Sequence, residues 1–214
     1  MPDKYIFIVR HGETKLNKQV VFRGQLDVEL NETGLSQARL AGVRFKDIRI
    51  DKIYSSPLKR AYQTAKAIAK HHNLEIEINE SMNDMNLGIW QGLPKKEVAE
   101  KYPEQWDKWV NHPTDLDIPN GETLINVSER AFRELTRIVK EEPFENIVIV
   151  THRIICKLLI LSLLGSNLKG FWKIHQDTCC INLFRYNDET GWSIVKLNDT
   201  THLDNGKIIL KEDF

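Results

Sequence analysis

Two short runs constrain this fold most, the apolar Tyr5-Ile6-Phe7-Ile8-Val9 and the β-branched Asn146-Ile147-Val148-Ile149-Val150. Neither alternates apolar with polar residues, so both of their faces need cover. That is the pattern of parallel strands with helices on each side. Each run ends in similar chemistry, Arg10-His11-Gly12-Glu13 after the first and Thr151-His152-Arg153 after the second. In α/β sheets ligands gather beyond the carboxyl ends of strands. Either histidine alone is compatible with a structural turn, whereas two in matching places, each beside an arginine, point to one shared site.

A third junction, Ile53-Tyr54-Ser55-Ser56-Pro57-Leu58-Lys59-Arg60, runs from strand to helix and puts Arg60 in the first helical turn. The helix dipole there disfavours a cation and favours an anion, so the position of Arg60 suggests an anionic ligand. The rest of the chain alternates in the same way. Helical patterns cover Thr33 to about Asp47, with Leu35, Ala38, Ala41, Val43 and Phe45 as inward candidates, then Leu58 to about His72, Pro94 to Tyr102, Pro103 to Val110, Thr123 to about Glu141, and Ile154 to Leu164. Extended patterns fall at Asp51 to Tyr54, Glu75 to Ile78, Cys180 to Tyr186 and Trp192 to Leu197. These elements make one α/β domain over residues 1–214, a mostly parallel central sheet with helices on both faces. The irregular segments 12–30 and 79–93 are expected to wall the site.

Composition narrows the function classes. Thirty basic and thirty acidic residues balance to a net charge of zero, which gives no global argument for nucleic acid or an anionic membrane as partner. The longest apolar run, Leu158 to Leu164, falls short of the roughly 18 residues of a membrane span. The three cysteines have no metal-site spacing and are expected to be buried thiols in a reducing cytoplasm. No metal and no cofactor is implied. Most of Trp90, Trp106, Trp109 and Trp172 are expected in the core.

In order, Arg10-His11-Gly12-Glu13-Thr14 with Asn17, Gly24 with Asp27, Leu30-Asn31-Glu32-Thr33-Gly34, Ser55-Ser56-Pro57-Leu58-Lys59-Arg60-Ala61, Gly88-Ile89-Trp90-Gln91-Gly92, Gly121-Glu122-Thr123 and Val150-Thr151-His152 resemble the histidine phosphatase, or phosphoglycerate-mutase-like, superfamily across nearly the whole chain. The tail Val195 to Leu203 resembles the C-terminal segment of the superfamily's α-ribazole phosphatases and bacterial phosphoserine phosphatases. The resemblance implies a phosphoglycerate-mutase-like fold and a metal-independent phosphatase acting on a small phosphomonoester through a phosphohistidine. His11 is the implied nucleophile and Asp84 the implied proton donor. Arg10, Arg60 and His152 are the implied phosphate clamp, with Asn17 and the backbone at Gly24 as further donors.

The chain departs from the superfamily pattern in places. Asp84 stands where a glutamate is usual, and Arg153 follows His152 where a glycine is usual. Arg153 either points to solvent or meets the substrate's edge. Arg23 is a candidate grip on the substrate's non-reacting end, and His202 a candidate substrate contact. Glu13 and Glu80 are the rival acids, and Glu13 is expected instead to support the histidine pair. The short path from Gln91 to Trp106 leaves no room for the insertion usual in mutases. This favours hydrolysis over a cofactor-dependent phosphoglycerate mutase or a non-catalytic phosphate-binding module. The expected partner is a small phosphorylated metabolite, and a homodimer is compatible with the sequence.

Overall fold

A computed structural model describes residues 3–203. Its centre is one six-stranded sheet in the order β3-β2-β4-β1-β5-β6, formed by β1 (Lys4–Arg10), β2 (Lys52–Ser55), β3 (Ile76–Ile78), β4 (Asn146–Thr151), β5 (Ile181–Asn187) and β6 (Gly191–Asp199). The first four strands are mutually parallel, and the β5–β6 hairpin adds antiparallel to β1. In the β1–β4 register Ile6 faces Ile147 and Ile8 faces Ile149. Successive side chains of a strand point to opposite faces. These four isoleucines therefore join one core, while Phe7, Val9, Val148 and Val150 join the other.

Helices cover both cores. The first face carries α4 (Lys95–Lys101), α5 (Pro103–Asn111), α6 (Leu124–Glu141) and α7 (Arg153–Leu163), and the second carries α2 (Glu32–Phe45) and α3 (Lys59–Ala69). A single turn, α1 (Lys15–Lys18), lies in the irregular segment after β1. Among the described residues no helix is long and apolar enough to cross a membrane.

The inward face of α2 differs from the expectation. Leu35 and Val43 are 51% and 52% exposed, and the buried set is Gly34, Gln37, Ala38, Ala41, Gly42 and Phe45. Small residues let α2 lie close to α3, and a Cβ added at Gly42 would strike the Ala67 carbonyl. The close approach of the two helix backbones turns the larger Leu35 and Val43 outward.

The segment 79–93 folds as two single 3-10 turns, Glu80–Met82 and Gly88–Trp90. It docks on the other irregular segment through Phe22 N–H to Leu93 O (3.0 Å) and Gly92 N–H to Phe22 O (2.8 Å). Trp90 and Trp109 are buried beneath this seam, each ring packed on Phe22 (centroids 5.0 and 6.0 Å), while Trp172 is partly exposed.

Candidate active site

β1, β4 and β2 end side by side, which brings together the residue that follows each strand. His11 follows β1 and donates its backbone N–H to Thr151 O (2.9 Å); His152 follows β4; Ser56 follows β2 and donates its N–H to Val150 O (3.0 Å). The strand pairing therefore fixes where these three residues sit. The imidazoles of His11 and His152 lie 5.2 Å apart between centroids, tilted by 57°. Both rings are buried.

His11 Nδ1 lies 2.7 Å from the Gly12 carbonyl oxygen. A carbonyl can only accept, so Nδ1 carries the proton and Nε2 keeps its lone pair. Burial pushes the His11 pKa well below its usual value, and Arg60, Arg10 and Arg23 add to the shift. The ring is therefore neutral at pH 7 with one bare nitrogen, the state a nucleophile requires. The backbone from Arg10 to Gly12 is held at each residue. Cys179 N–H donates to His11 O, Cys180 O accepts the Arg10 N–H, and Gly12 N–H donates to Thr64 Oγ1 (3.1 Å).

Arg10 and Arg60 are both fully buried. Arg10 Nη1 donates to the Gln176 carbonyl. Arg60 spans the pocket wall, with Nη1 donating to Leu26 O (2.7 Å) and Nη2 to Gly24 O (2.8 Å) and Asp84 Oδ2 (3.1 Å). Asp84 Oδ2 also lies 3.6 Å from His152 Nδ1, and His152 Nε2 is 2.7 Å from Ser56 Oγ. Burial first, then Arg60, His11 and Arg23, push His152 well below the usual histidine range. As folded, then, His152 is a neutral hydrogen-bonding group, and the positive charge around it belongs to the arginines.

Arg23, Gly24, Asp84 and Arg153 line the same pocket as His11, against an apolar wall that includes Phe22 and Trp109. Arg153 is 8% exposed, so its solvent-pointing alternative is excluded. Gly24 has φ +49, and a Cβ there would run into the Gln91 side-chain oxygen, which instead accepts the Gln25 N–H (2.6 Å). Gly24 contributes its carbonyl to Arg60, whereas the sequence suggested a backbone donor.

Three expected positions fall elsewhere. Asn17 Oδ1 accepts from Thr14 N (2.9 Å) and Thr14 Oγ1 (2.8 Å), a capping box that closes α1, and Asn17 does not line the pocket. His202 sits in the turn after β6, also outside the lining. Glu13 accepts from Asn31 Nδ2 (2.8 Å) at the start of α2 and does not reach the histidines directly. The three cysteines are free and buried as expected.

No local pattern in the sequence marks the bracing around Asp84. Arg130, on α6, donates to Ser81 O (2.8 Å), Asp84 O (3.0 Å) and both Glu122 oxygens (2.8 and 3.1 Å). Glu122 Oε2 in turn accepts the Asn86 N–H (2.8 Å). Among the described residues no cluster of three or more His, Cys, Asp or Glu side chains could hold a metal ion.

A bare imidazole nitrogen, a neighbouring imidazole, buried guanidiniums and a carboxylate gathered in one place form an arrangement suited to holding a phosphoryl group. The sequence profile of the histidine phosphatase superfamily (branch 1) matches residues 6–200. Phosphoserine phosphatase 1 of Hydrogenobacter thermophilus is 34% identical over 92% of this chain and 93% of its own length. Phosphoglycerate mutase-like protein 4 of Arabidopsis thaliana is 37% identical over 93% and 86%. The solved α-ribazole phosphatase of Shigella flexneri superposes with a TM-score of 0.84 at 26% identity, covering 91% of this chain and 96% of its own. The chain belongs to the histidine phosphatase superfamily, as an enzyme of the phosphoric monoester hydrolase class.

Proposed function

We propose that this protein hydrolyses a small phosphomonoester, without a metal, through a phosphohistidine on His11. The tautomer of His11 carries the reading: the Nδ1–H bond to Gly12 O leaves Nε2 as the attacking atom. Nε2 attacks phosphorus, the P–N bond forms and the P–O ester bond breaks. Its electrons go to the leaving oxygen, which takes a proton from Asp84. Water then attacks the phosphohistidine, the P–N bond breaks, and the water's proton returns to the Asp84 carboxylate.

Arg10 and Arg60 hold the non-bridging oxygens, where the transferring group keeps its charge. His152 adds a hydrogen bond on the same side. Asp84 is joined to Arg60 through Oδ2. A phosphate dianion that takes up the guanidinium competes for that bond and frees the carboxylate, which takes a proton from water before passing it to the leaving oxygen. The direct path from Gly92 to α4 at Lys95 supports water as the acceptor rather than a second substrate hydroxyl.

The names of the relatives make phosphoserine and α-ribazole 5′-phosphate the first substrates to try. The mechanism itself is tested with p-nitrophenyl phosphate. Native enzyme should turn it over equally with and without chelator, and His11→Ala should lower turnover by at least roughly a thousandfold. Enzyme incubated with labelled substrate and quenched in alkali should carry phosphate that survives alkali and is released by acid. Turnover that survives His11→Ala would remove the nucleophile, and turnover abolished by chelator would remove metal independence.

A further inference from the structure

Two pocket cations have no part in the chemistry just described. Arg23 comes from the irregular segment after β1, and Arg153 is the first residue of α7; both line the pocket that holds His11 and Asp84. Burial lowers the Arg23 pKa to about 9, and the nearby Arg10 and Arg153 guanidiniums add to the shift. Both keep their protons at neutral pH. Arg23 Nε is buried and has no hydrogen-bond partner in the protein. Arg153 sits at a helix N-terminus, where the dipole opposes a cation and favours an anion. Two like charges held together there form an arrangement that an anion stabilises. A planar guanidinium pair suits an oxyanion with two or more equivalent oxygens. The same pocket has an apolar wall made by Phe22, Leu87, Trp109 and Ile154.

We propose that Arg23 and Arg153 form a second anion subsite, so that the preferred substrate is a short phosphomonoester whose alcohol carries a further anionic group, a carboxylate or a second phosphate. The assignment rests on the phosphatase reading above. The phosphoryl group meets His11, Arg10 and Arg60, a short carbon body lies against the apolar wall, and the second anion meets the Arg23–Arg153 pair. Substrates with a neutral tail lose that last contact. The rarity of a cation at the start of α7 then has a reason: Arg153 sets specificity from the same helix that follows His152.

The experiment compares three esters on one carbon frame at pH 7.5: glycerol 3-phosphate, 3-phosphoglycerate and glycerol 1,3-bisphosphate. Native enzyme should favour at least one of the two charged-tail esters over glycerol 3-phosphate by about tenfold or more in kcat/KM. Which of them it favours identifies the anion. In Arg23→Gln/Arg153→Gln that ratio should fall to within about threefold, and Arg153→Lys should keep part of it because charge remains while the fork is lost. No preference in the native enzyme overturns the subsite, a result that does not depend on how any variant folds. A preference undiminished in the double variant overturns it as well. If p-nitrophenyl phosphate is not hydrolysed in a His11-dependent way, the phosphatase reading itself has failed. If it is hydrolysed and the ester ratio is near one, only the subsite has failed.

Discussion

Asp84 shows how one residue can be legible by type and hidden in detail. Its position in the chain marked it as a carboxylate in place of the usual glutamate, and the shorter side chain raised the question of reach. The structure answers through its partners: Oδ2 sits 3.1 Å from Arg60 Nη2 and 3.6 Å from His152 Nδ1, so the carboxylate faces the same space as both groups. A proton donor matters in proportion to how poor the leaving group is. Asn in this place keeps an oxygen that can accept from Arg60 and loses only the transferable proton. Asp84→Asn should therefore lower kcat/KM for an alkyl phosphate by about 10²- to 10⁴-fold and for p-nitrophenyl phosphate by less than about tenfold. Steady-state kinetics on both substrates make the check, and equal losses would place the acid elsewhere.

At the scale of elements, the site is a product of strand ends braced by helices. Arg60 and Thr64 are one turn apart on α3; Arg60 enters the pocket, and Thr64 Oγ1 accepts from Gly12 behind the nucleophile while donating to Arg60 O. α6 braces the opposite wall, since Arg130 reaches the Asp84 carbonyl across 46 positions of sequence and also holds Glu122. Arg130→Met should destabilise the fold by about 1–3 kcal/mol, with Arg130→Met/Glu122→Gln costing less than the sum of the two single changes. It should also reduce alkyl phosphate turnover more than p-nitrophenyl phosphate turnover, because it frees the loop that aims the acid. Urea titration and kinetics on the same variants read both effects. What was legible follows from range. β1, β4 and the three strand-to-helix junctions could be read because short apolar runs and helix starts are local patterns. The Arg130 brace, the Gln176 carbonyl that receives Arg10 across 166 positions, and the outward turn of Leu35 and Val43 depend on which elements meet, and no local period encodes that. Asn17 shows the same limit in reverse, a motif residue whose side chain is taken up by the cap beside it.

At the scale of the molecule, a chain of zero net charge gathers Arg10, Arg23, Arg60 and Arg153 around two buried imidazoles. This concentration has a consequence for stability as well as for catalysis. Both His11 and His152 have folded pKa values well below that of an exposed histidine, by burial first and the neighbouring cations second. Between the ordinary value near ~6.5 and the depressed folded values, the unfolded chain holds protons that the folded chain does not. Stability therefore rises with pH through that window, is fully present above about 6.5, and is lost as pH falls below it. The loss approaches about 1.4 kcal/mol per pH unit for each of the two histidines. His72, also depressed by burial, adds a smaller background that is common to all variants. Urea-derived unfolding free energies between pH 7 and 5.5 should fall steeply for the native protein, and His11→Gln/His152→Gln should flatten that slope whatever its effect at pH 7. An unchanged slope would mean that the imidazoles protonate freely in the folded state, and the electrostatic account of the nucleophile would fall with it. The same field predicts the acid limb of turnover. Because a neutral His11 is the competent form, kcat/KM should hold well below the usual histidine range. Arg23→Gln removes one of the cations that depress the His11 pKa, and should move that limb toward higher pH.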